Sequence, residues 1–237
     1  MFLVKLVDTV FCIHNHYEEI KELCKDYIVE SNALDHIDII TITTTEEEIL
    51  IEDVNQEGFR KSYLETLAVY RKIATYFATK SVLLMHGSCI AYQNQGVLFS
   101  APSGTGKSTH VRLWQEVFQD EITIVNDDKP LVSAGLEVPM IYGTPWAGKH
   151  SLQRNIAVPL KAIVILQRGA ENKIEKIGQM DGFVYMMKQV FRPEDSALVS
   201  NVTRLLYDML GKIEVYKMSC NMSKEAAMVA CEGIFGA

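Results

Sequence analysis

Residues 101–109 read Ala-Pro-Ser-Gly-Thr-Gly-Lys-Ser-Thr, the most informative segment of the sequence. It is a Walker A motif in which Ala101 stands in place of the first glycine. Glycines at 104 and 106 let backbone N–H groups turn inward around phosphate oxygens, and the N-terminus of a following helix adds a favourable dipole. The lysine supplies positive charge for the β- and γ-phosphates, and the serine supplies a hydroxyl ligand for Mg²⁺. We therefore predict binding of ATP and Mg²⁺.

The local context supports this interpretation. An apolar strand is predicted over 97–100, before the motif, and an amphipathic helix over 107–119, after it. The alternative is a glycine-rich turn that merely connects a strand to a helix, and the context disfavours it. The nucleotide-binding residues that we expect are Pro102, Ser103, Gly104, Thr105, Gly106, Lys107, Ser108 and Thr109.

A second motif, residues 122–128, places Asp127 and Asp128 at the end of an apolar strand. A carboxylate there can hold Mg²⁺ directly or through water, and a neighbouring carboxylate can accept a proton from an attacking hydroxyl. The alternative is a solvated strand end that turns towards Pro130. His86 lies on a turn before the hairpin that leads to the Walker A strand. A lone histidine is more often structural than catalytic.

Residues 142–150 contain two glycines, a proline and a tryptophan, which is typical of a shaped loop. Trp146 is a candidate wall of an acceptor pocket, and Lys149 is a candidate phosphate contact. The alternative is a structural loop anchored by its tryptophan. Lys129 can either temper the repulsion of the two acids or contact phosphate. Three arginines are candidate phosphate clamps, with surface ion pairs as the alternative: Arg154, Arg168 and Arg192.

The order of these motifs over residues 82–130 resembles the catalytic domain of the HPr kinase/phosphorylase family, among the phosphoenolpyruvate-carboxykinase-like P-loop kinases. The shared elements are His-Gly-Ser, a hairpin, the Walker A motif and Asp-Asp. Thr109 stands where that family usually has glutamate, and the chain is most similar to the family's HPr-kinase-like branch in bacteria. The resemblance implies an α/β fold with a mixed sheet flanked by helices.

The resemblance also implies roles for individual residues. Asp127 would be the catalytic base, assisted by His86, and Lys107 would complete the catalytic group. Asp128 would lie near the metal, which Ser108 also binds. The predicted activity is transfer of the γ-phosphoryl group of ATP to a hydroxyl, most readily a serine in a protein or peptide or as a small molecule. The alternative is a nucleotide-hydrolysing switch or ATPase subunit without a phosphoryl acceptor.

Length, composition and net charge limit the domain organisation of the chain and the classes of partner that it can bind. The 237 residues are 48% hydrophobic and 22% charged, which is typical of a globular chain. We predict a small N-terminal α/β subdomain over 1–57 and a P-loop kinase catalytic domain over 58–237. The net charge of −7 disfavours nucleic acid and anionic membranes as partners, whereas an oligomer is possible. Five scattered cysteines without CxxC spacing indicate reduced thiols. With no signal peptide or membrane span expected, we predict a cytoplasmic setting.

Periodicity predicts the remaining elements. The predicted strands are 2–7, 37–43, 82–85, 88–92, 122–125, 162–166 and 214–217, with extended structure also at 49–52. The predicted helices are 16–30, 58–79, 180–191, 197–211 and 224–235, the last capped by Ser223.

Overall fold

A computed structural model of the chain describes residues 1–30, 38–148 and 151–236. The chain divides into two compact units, Met1–Tyr76 and Phe77–Ala237. The division falls inside a long helix, whereas the sequence placed the domain boundary ahead of that helix, after residue 57. The assignment of the second unit as a kinase domain stays a prediction.

The first unit contains a three-stranded sheet in which β1 is antiparallel to β2 and β2 is parallel to β3. Its elements are β1 (Phe2–Leu6), β2 (Thr9–His14), α1 (Glu18–Leu23), β3 (Ile39–Thr43), α2 (Glu46–Ile51) and most of α3 (Lys61–Ala78). The sequence missed β2, and residue 37 of the strand predicted over 37–43 lies outside the described residues.

The extended structure predicted at 49–52 was wrong, because those residues mostly belong to helix α2. Thr45 and Glu48 form a capping box, in which each side chain accepts a hydrogen bond from the other residue's backbone N–H. A capping box satisfies two otherwise unpaired N–H groups at a helix start, and it favours a helix over a strand.

The second unit is built on one large mixed sheet. The strand order is β4-β8-β9-β10-β6-β5-β7, with β12 beside β10 and β11 beside β12. The strands are β4 (Val82–Leu84), β5 (Ser88–Tyr92), β6 (Gln95–Ser100), β7 (Ile122–Asn126), β8 (Leu131–Ser133), β9 (Met140–Tyr142), β10 (Ala157–Arg168), β11 (Lys173–Lys176) and β12 (Glu214–Cys220). The helices are α4 (Lys107–Phe118), α5 (Gln179–Met186), α6 (Ser196–Leu210) and α7 (Glu225–Phe235).

Strand directions bring the sequence motifs to one edge of this sheet. Strand β10 is parallel to β6, and β5 is antiparallel to both β6 and β7. The carboxyl ends of β6, β7 and β10 therefore lie at the same edge, together with the start of β5. The predicted β5–β6 hairpin is confirmed, and its turn has positive φ at both Gln93 and Asn94, as a type I′ turn requires.

Side chains of the sheet alternate between two hydrophobic layers. Leu98 packs into the layer that also contains buried residues of α5 and α6. Its neighbours Val97 and Phe99 pack into the opposite layer, with buried residues of α4 and α7. The predicted α/β class, with a mixed sheet flanked by helices, is thereby confirmed.

Two element ends in this unit differ from the sequence predictions. Helix α5 ends at Met186, because Val190 then bridges to Met85 and the Phe191 N–H donates to the Leu84 carbonyl. Ser223 does not cap α7, since its hydroxyl donates to Asn221 instead. Among the described residues, no helix combines the length and apolar character needed to cross a bilayer.

Candidate active site

The Walker A loop joins the carboxyl end of β6 to the start of α4, as its sequence predicts. Gly104 and Gly106 adopt φ values of 76° and 120°, a region that side chains other than glycine rarely enter. A Cβ added at either position would meet no atom within 4 Å. Backbone conformation, rather than lack of space, therefore requires these two glycines.

Lys107 turns back onto the loop that precedes it. Its Nζ donates to the Ala101 carbonyl at 2.9 Å, and the residue is 9% exposed. The lysine is therefore largely shielded from solvent, since its ammonium finds an acceptor at the first residue of the loop. Burial lowers the pKa of Lys107, Asp128 opposes this shift, and Lys129 adds to it. Lys107 and Asp128 therefore lie close enough to interact electrostatically.

Arg168, at the end of β10, contacts the outside of the same loop. Its Nε donates to the Thr105 carbonyl at 3.2 Å, and its Nη2 donates to the Gly104 carbonyl. Arg168, which the sequence offered as a candidate phosphate clamp, therefore supports the backbone of the loop. Arg154 and Arg192 are exposed.

Asn126, the last residue of β7, is the buried centre of the acidic turn. Its Oδ1 accepts from the N–H groups of Asp128 and Lys129, at 2.8 and 2.7 Å. Its Nδ2 donates to the carbonyls of Thr144 and Trp146, at 3.1 and 3.4 Å. One fully buried amide thus ties the acidic turn to the loop over 143–148.

We expect Asn126→Ala to destabilise the fold by about 1–3 kcal/mol, because the fully buried Thr144 carbonyl loses the amide that donates to it. Urea unfolding followed by circular dichroism measures this change. Asn55→Ala is the control, since Asn55 is exposed and its amide donates to the exposed Glu57. Equal midpoints for the two variants would contradict the anchoring role of Asn126.

The two acids of the turn have different environments. Asp127 is 5% exposed, its Oδ1 accepts from the Gly148 N–H at 2.6 Å, and its carbonyl accepts from the Ser88 hydroxyl. The Asp128 side chain is 32% exposed, and its Oδ1 lies 3.0 Å from Lys129 Nζ. Asp127 is therefore held against a loop backbone, whereas Asp128 is open to a ligand.

His86 lies beside Asp128, with 3.4 Å between His86 Nε2 and Asp128 Oδ1. Its other ring nitrogen, Nδ1, is 2.8 Å from the Gln189 side-chain oxygen. A neutral imidazole has one donor and one acceptor. With the Gln189 oxygen facing Nδ1, Nδ1–H donates to it and Nε2 of the neutral ring carries no hydrogen. A half-turn of the Gln189 amide presents its NH₂ to Nδ1 instead, and Nε2–H can then donate to Asp128. This pairing differs from the one implied by the resemblance, in which His86 assists Asp127.

Burial lowers the pKa of His86, and the positive charges of Lys129 and Lys107 lower it further. Asp128 and the Gln189 hydrogen bond act in the opposite direction without reversing the shift. His86 is therefore neutral at pH 7.

We expect the His86 ring to titrate below the ordinary histidine value of about 6.5 in NMR experiments. Because the folded-state pKa is lowered, the stability from His86 is present above pH 6.5 and declines as the pH falls towards the folded-state pKa. Lys129→Ala should raise the midpoint, and Asp128→Asn should lower it further. Buried His110, with a pKa lowered to about 4, is the internal reference. A His86 midpoint above 6.5 would contradict this electrostatic balance.

The structure brings together most of the predicted site residues. His86, Lys107, Asp128 and Lys129 act electrostatically on one another. Trp146 is buried, and its carbonyl accepts from Asn126. Lys149 lies outside the described residues. Gln189 and Asn126 were missed, because no local motif marks an amide whose partners lie far along the chain.

The comparisons with known proteins concern the same region. A family model described as SynChlorMet cassette protein ScmC matches residues 51–228, about three quarters of the chain. This chain belongs to the ScmC family. A search of curated proteins found no match to this ScmC-family member.

Among solved structures, the chain is similar to the Hpr(Ser) kinase/phosphatase from Coxiella burnetii. The two are 10% identical with a TM-score of 0.34, over 63% of the ScmC-family chain and 95% of the Coxiella chain. A TM-score this low does not establish a shared fold.

Proposed function

We propose that this chain is an ATP-dependent phosphotransferase that moves the γ-phosphoryl group to a hydroxyl acceptor. The acceptor is most readily a serine in a protein or peptide, or a small hydroxylated molecule. One observation carries the proposal: the Walker A loop after β6 and the partly exposed carboxylate of Asp128 after β7 lie at the same edge of the sheet. Such a site can neutralise phosphate charge and accept a proton in the same place.

We assign the role of catalytic base to Asp128. A general base must reach the hydroxyl of the acceptor, and Asp128 is accessible and held by His86 and Lys129. Asp127 is buried, and one of its carboxylate oxygens already accepts a backbone N–H. The resemblance implied the opposite roles, and asparagine substitutions at the two positions distinguish them.

The residues of the loop fit ATP with Mg²⁺. Ser108 is exposed in the first turn of α4 and would supply an oxygen ligand, while Asp128, as the base, would lie near the ion without ligating it directly. Among the described residues, no group of three or more histidine, cysteine or acidic side chains forms a metal cluster. This agrees with Mg²⁺, which is usually held by one or two protein ligands together with phosphates and water. When bound, the ion would neutralise charge on the phosphates.

The protein's own residues then account for the proton and for the positioning of the groups. The hydroxyl proton of the acceptor moves to a carboxylate oxygen of Asp128. The acceptor oxygen forms its bond to the γ-phosphorus as the bond from that phosphorus to the β-phosphate oxygen breaks, which leaves ADP. His86 orients Asp128 through Nε2–H, and Lys107 balances the negative charge of the phosphates. Most of the rate enhancement in such reactions comes from positioning and charge stabilisation.

The test uses γ-labelled ATP, first without an acceptor and then with hydroxylated metabolites and cell-extract proteins. We expect slow hydrolysis alone and stable transfer of label to one acceptor. Fast hydrolysis without any labelled acceptor would overturn the kinase proposal in favour of an ATPase or switch.

A further inference from the structure

A cavity of about 390 Å³ lies between the Walker A loop and the chain that follows α5. One wall is the end of β6 with the first loop residues, and a second is the end of β10, including Arg168. The third wall is formed by Tyr185, Met186, Lys188 and Gln189. Ligands of open α/β sheets commonly bind outside the carboxyl ends of parallel strands, and β6 and β10 are such a pair.

The position of the cavity favours the acceptor over the nucleoside as its occupant. Gln189 lines the cavity, and its side chain contacts His86, which in turn lies beside Asp128. Two side chains, Gln189 and His86, therefore connect an occupant to Asp128, the group that would take the hydroxyl proton. The volume of the cavity is at the lower end of the range for small-molecule sites, about 300–1,000 Å³.

The lining of the cavity is unusual for an acidic chain. The net charge of the protein is −7, yet the described lining contains two cations, Arg168 and Lys188, and no acidic residue. Arg168 is engaged with the loop carbonyls, whereas the ammonium of exposed Lys188 has no ion pair among the described residues. The remaining walls include apolar Ile165, Leu166 and Met186.

We propose that this cavity is the acceptor site and that it selects a small hydroxylated molecule carrying a carboxylate, which Lys188 binds. The proposal rests on the kinase function proposed above. Apolar walls would hold the carbon skeleton, while the carboxylate meets Lys188 and the hydroxyl is directed towards Asp128.

The experiment measures binding by ligand-observed NMR, with and without MgADP. Lactate and 3-hydroxybutyrate are compared with the diols 1,2-propanediol and 1,3-butanediol, which keep the hydroxyl and lack the charge. We expect the acids to bind at least tenfold more tightly than the diols. Lys188→Gln should weaken acid binding by about ten- to hundredfold, as loss of a charged hydrogen bond does, and Lys188→Arg should retain much of it. Lys173→Gln is the matched control, because exposed Lys173 lies outside the cavity.

Three results would overturn the acceptor site: equal binding of acids and diols, no binding of either acid, or equal behaviour of Lys188→Gln and Lys173→Gln. A comparable loss of MgADP affinity in Lys188→Gln would also overturn it, by assigning the cavity to the nucleotide. The two proposals fail separately. Acid binding without transfer from ATP would support the anion site and reject the kinase function. Transfer only to neutral acceptors would support the kinase function and reject the anion site.

Discussion

Lys107→Ala is expected to lower phosphoryl transfer by about 10²- to 10³-fold, the range for loss of one preorganised electrostatic group at a reacting centre. The ammonium group of Lys107 is the group of the loop that can place a full positive charge on the β- and γ-phosphates. Its charge also acts on Asp128 and His86. Both nucleotide affinity and transfer should therefore fall.

The fold should survive this change. The variant loses one hydrogen bond, from Nζ to the Ala101 carbonyl, and a bond to a charged group contributes about 1.5–3 kcal/mol. Circular dichroism and MgADP titration separate folding from binding, with Lys173→Ala as the control for loss of a lysine charge. Normal transfer by a correctly folded Lys107→Ala variant would remove the Walker A loop from the reaction.

Asp128→Asn is expected to lower transfer by at least about 10²-fold while nucleotide binding is retained. The amide keeps the shape of the side chain and removes the proton acceptor. Asp127→Asn is the matched comparison, since it makes the same chemical change one residue earlier. Its amide oxygen can still accept the Gly148 N–H, so we expect a much smaller loss of transfer.

Transfer rates and MgADP affinities of both variants decide the roles of the two acids. A large loss in Asp127→Asn with near-normal Asp128→Asn would instead make Asp127 the base, as the family resemblance implies. Lost nucleotide affinity in Asp128→Asn would mark Asp128 as chiefly a metal residue. His86→Ala should cost less than Asp128→Asn, because His86 orients the carboxylate and does not take the proton itself.

Local patterns explain which parts of the fold were predictable. The hairpin, the Walker A loop and helices α3, α4 and α6 have clear turn or periodicity signals, and all lie close to their predicted positions. Strands β8 and β9 have three residues each, too few to show alternation. The helix at α2 was predictable in principle, because the Thr45–Glu48 capping box is visible in the sequence.

The candidate site was predictable in its residue types and less so in its contacts. Lys107, Asp127 and Asp128 belong to short motifs with known spacing. The contact between His86 and Gln189 spans 103 positions of sequence, and it depends on the chain after α5 returning to β4. No local pattern shows such a return. The same holds for Asn126, whose partners at Thr144 and Trp146 are set by loop packing.

The contact of Arg168 with the Walker A loop has a thermodynamic consequence. A peptide unit is planar, so holding the Thr105 carbonyl from one side orients the Gly106 N–H to the other. Part of the loop's conformational entropy is therefore lost when the protein folds, before any phosphate arrives. If the loop binds nucleotide as proposed, its prior ordering would reduce the entropic penalty of binding, and the affinity would depend more on how well the phosphate oxygens match a loop conformation that is already present.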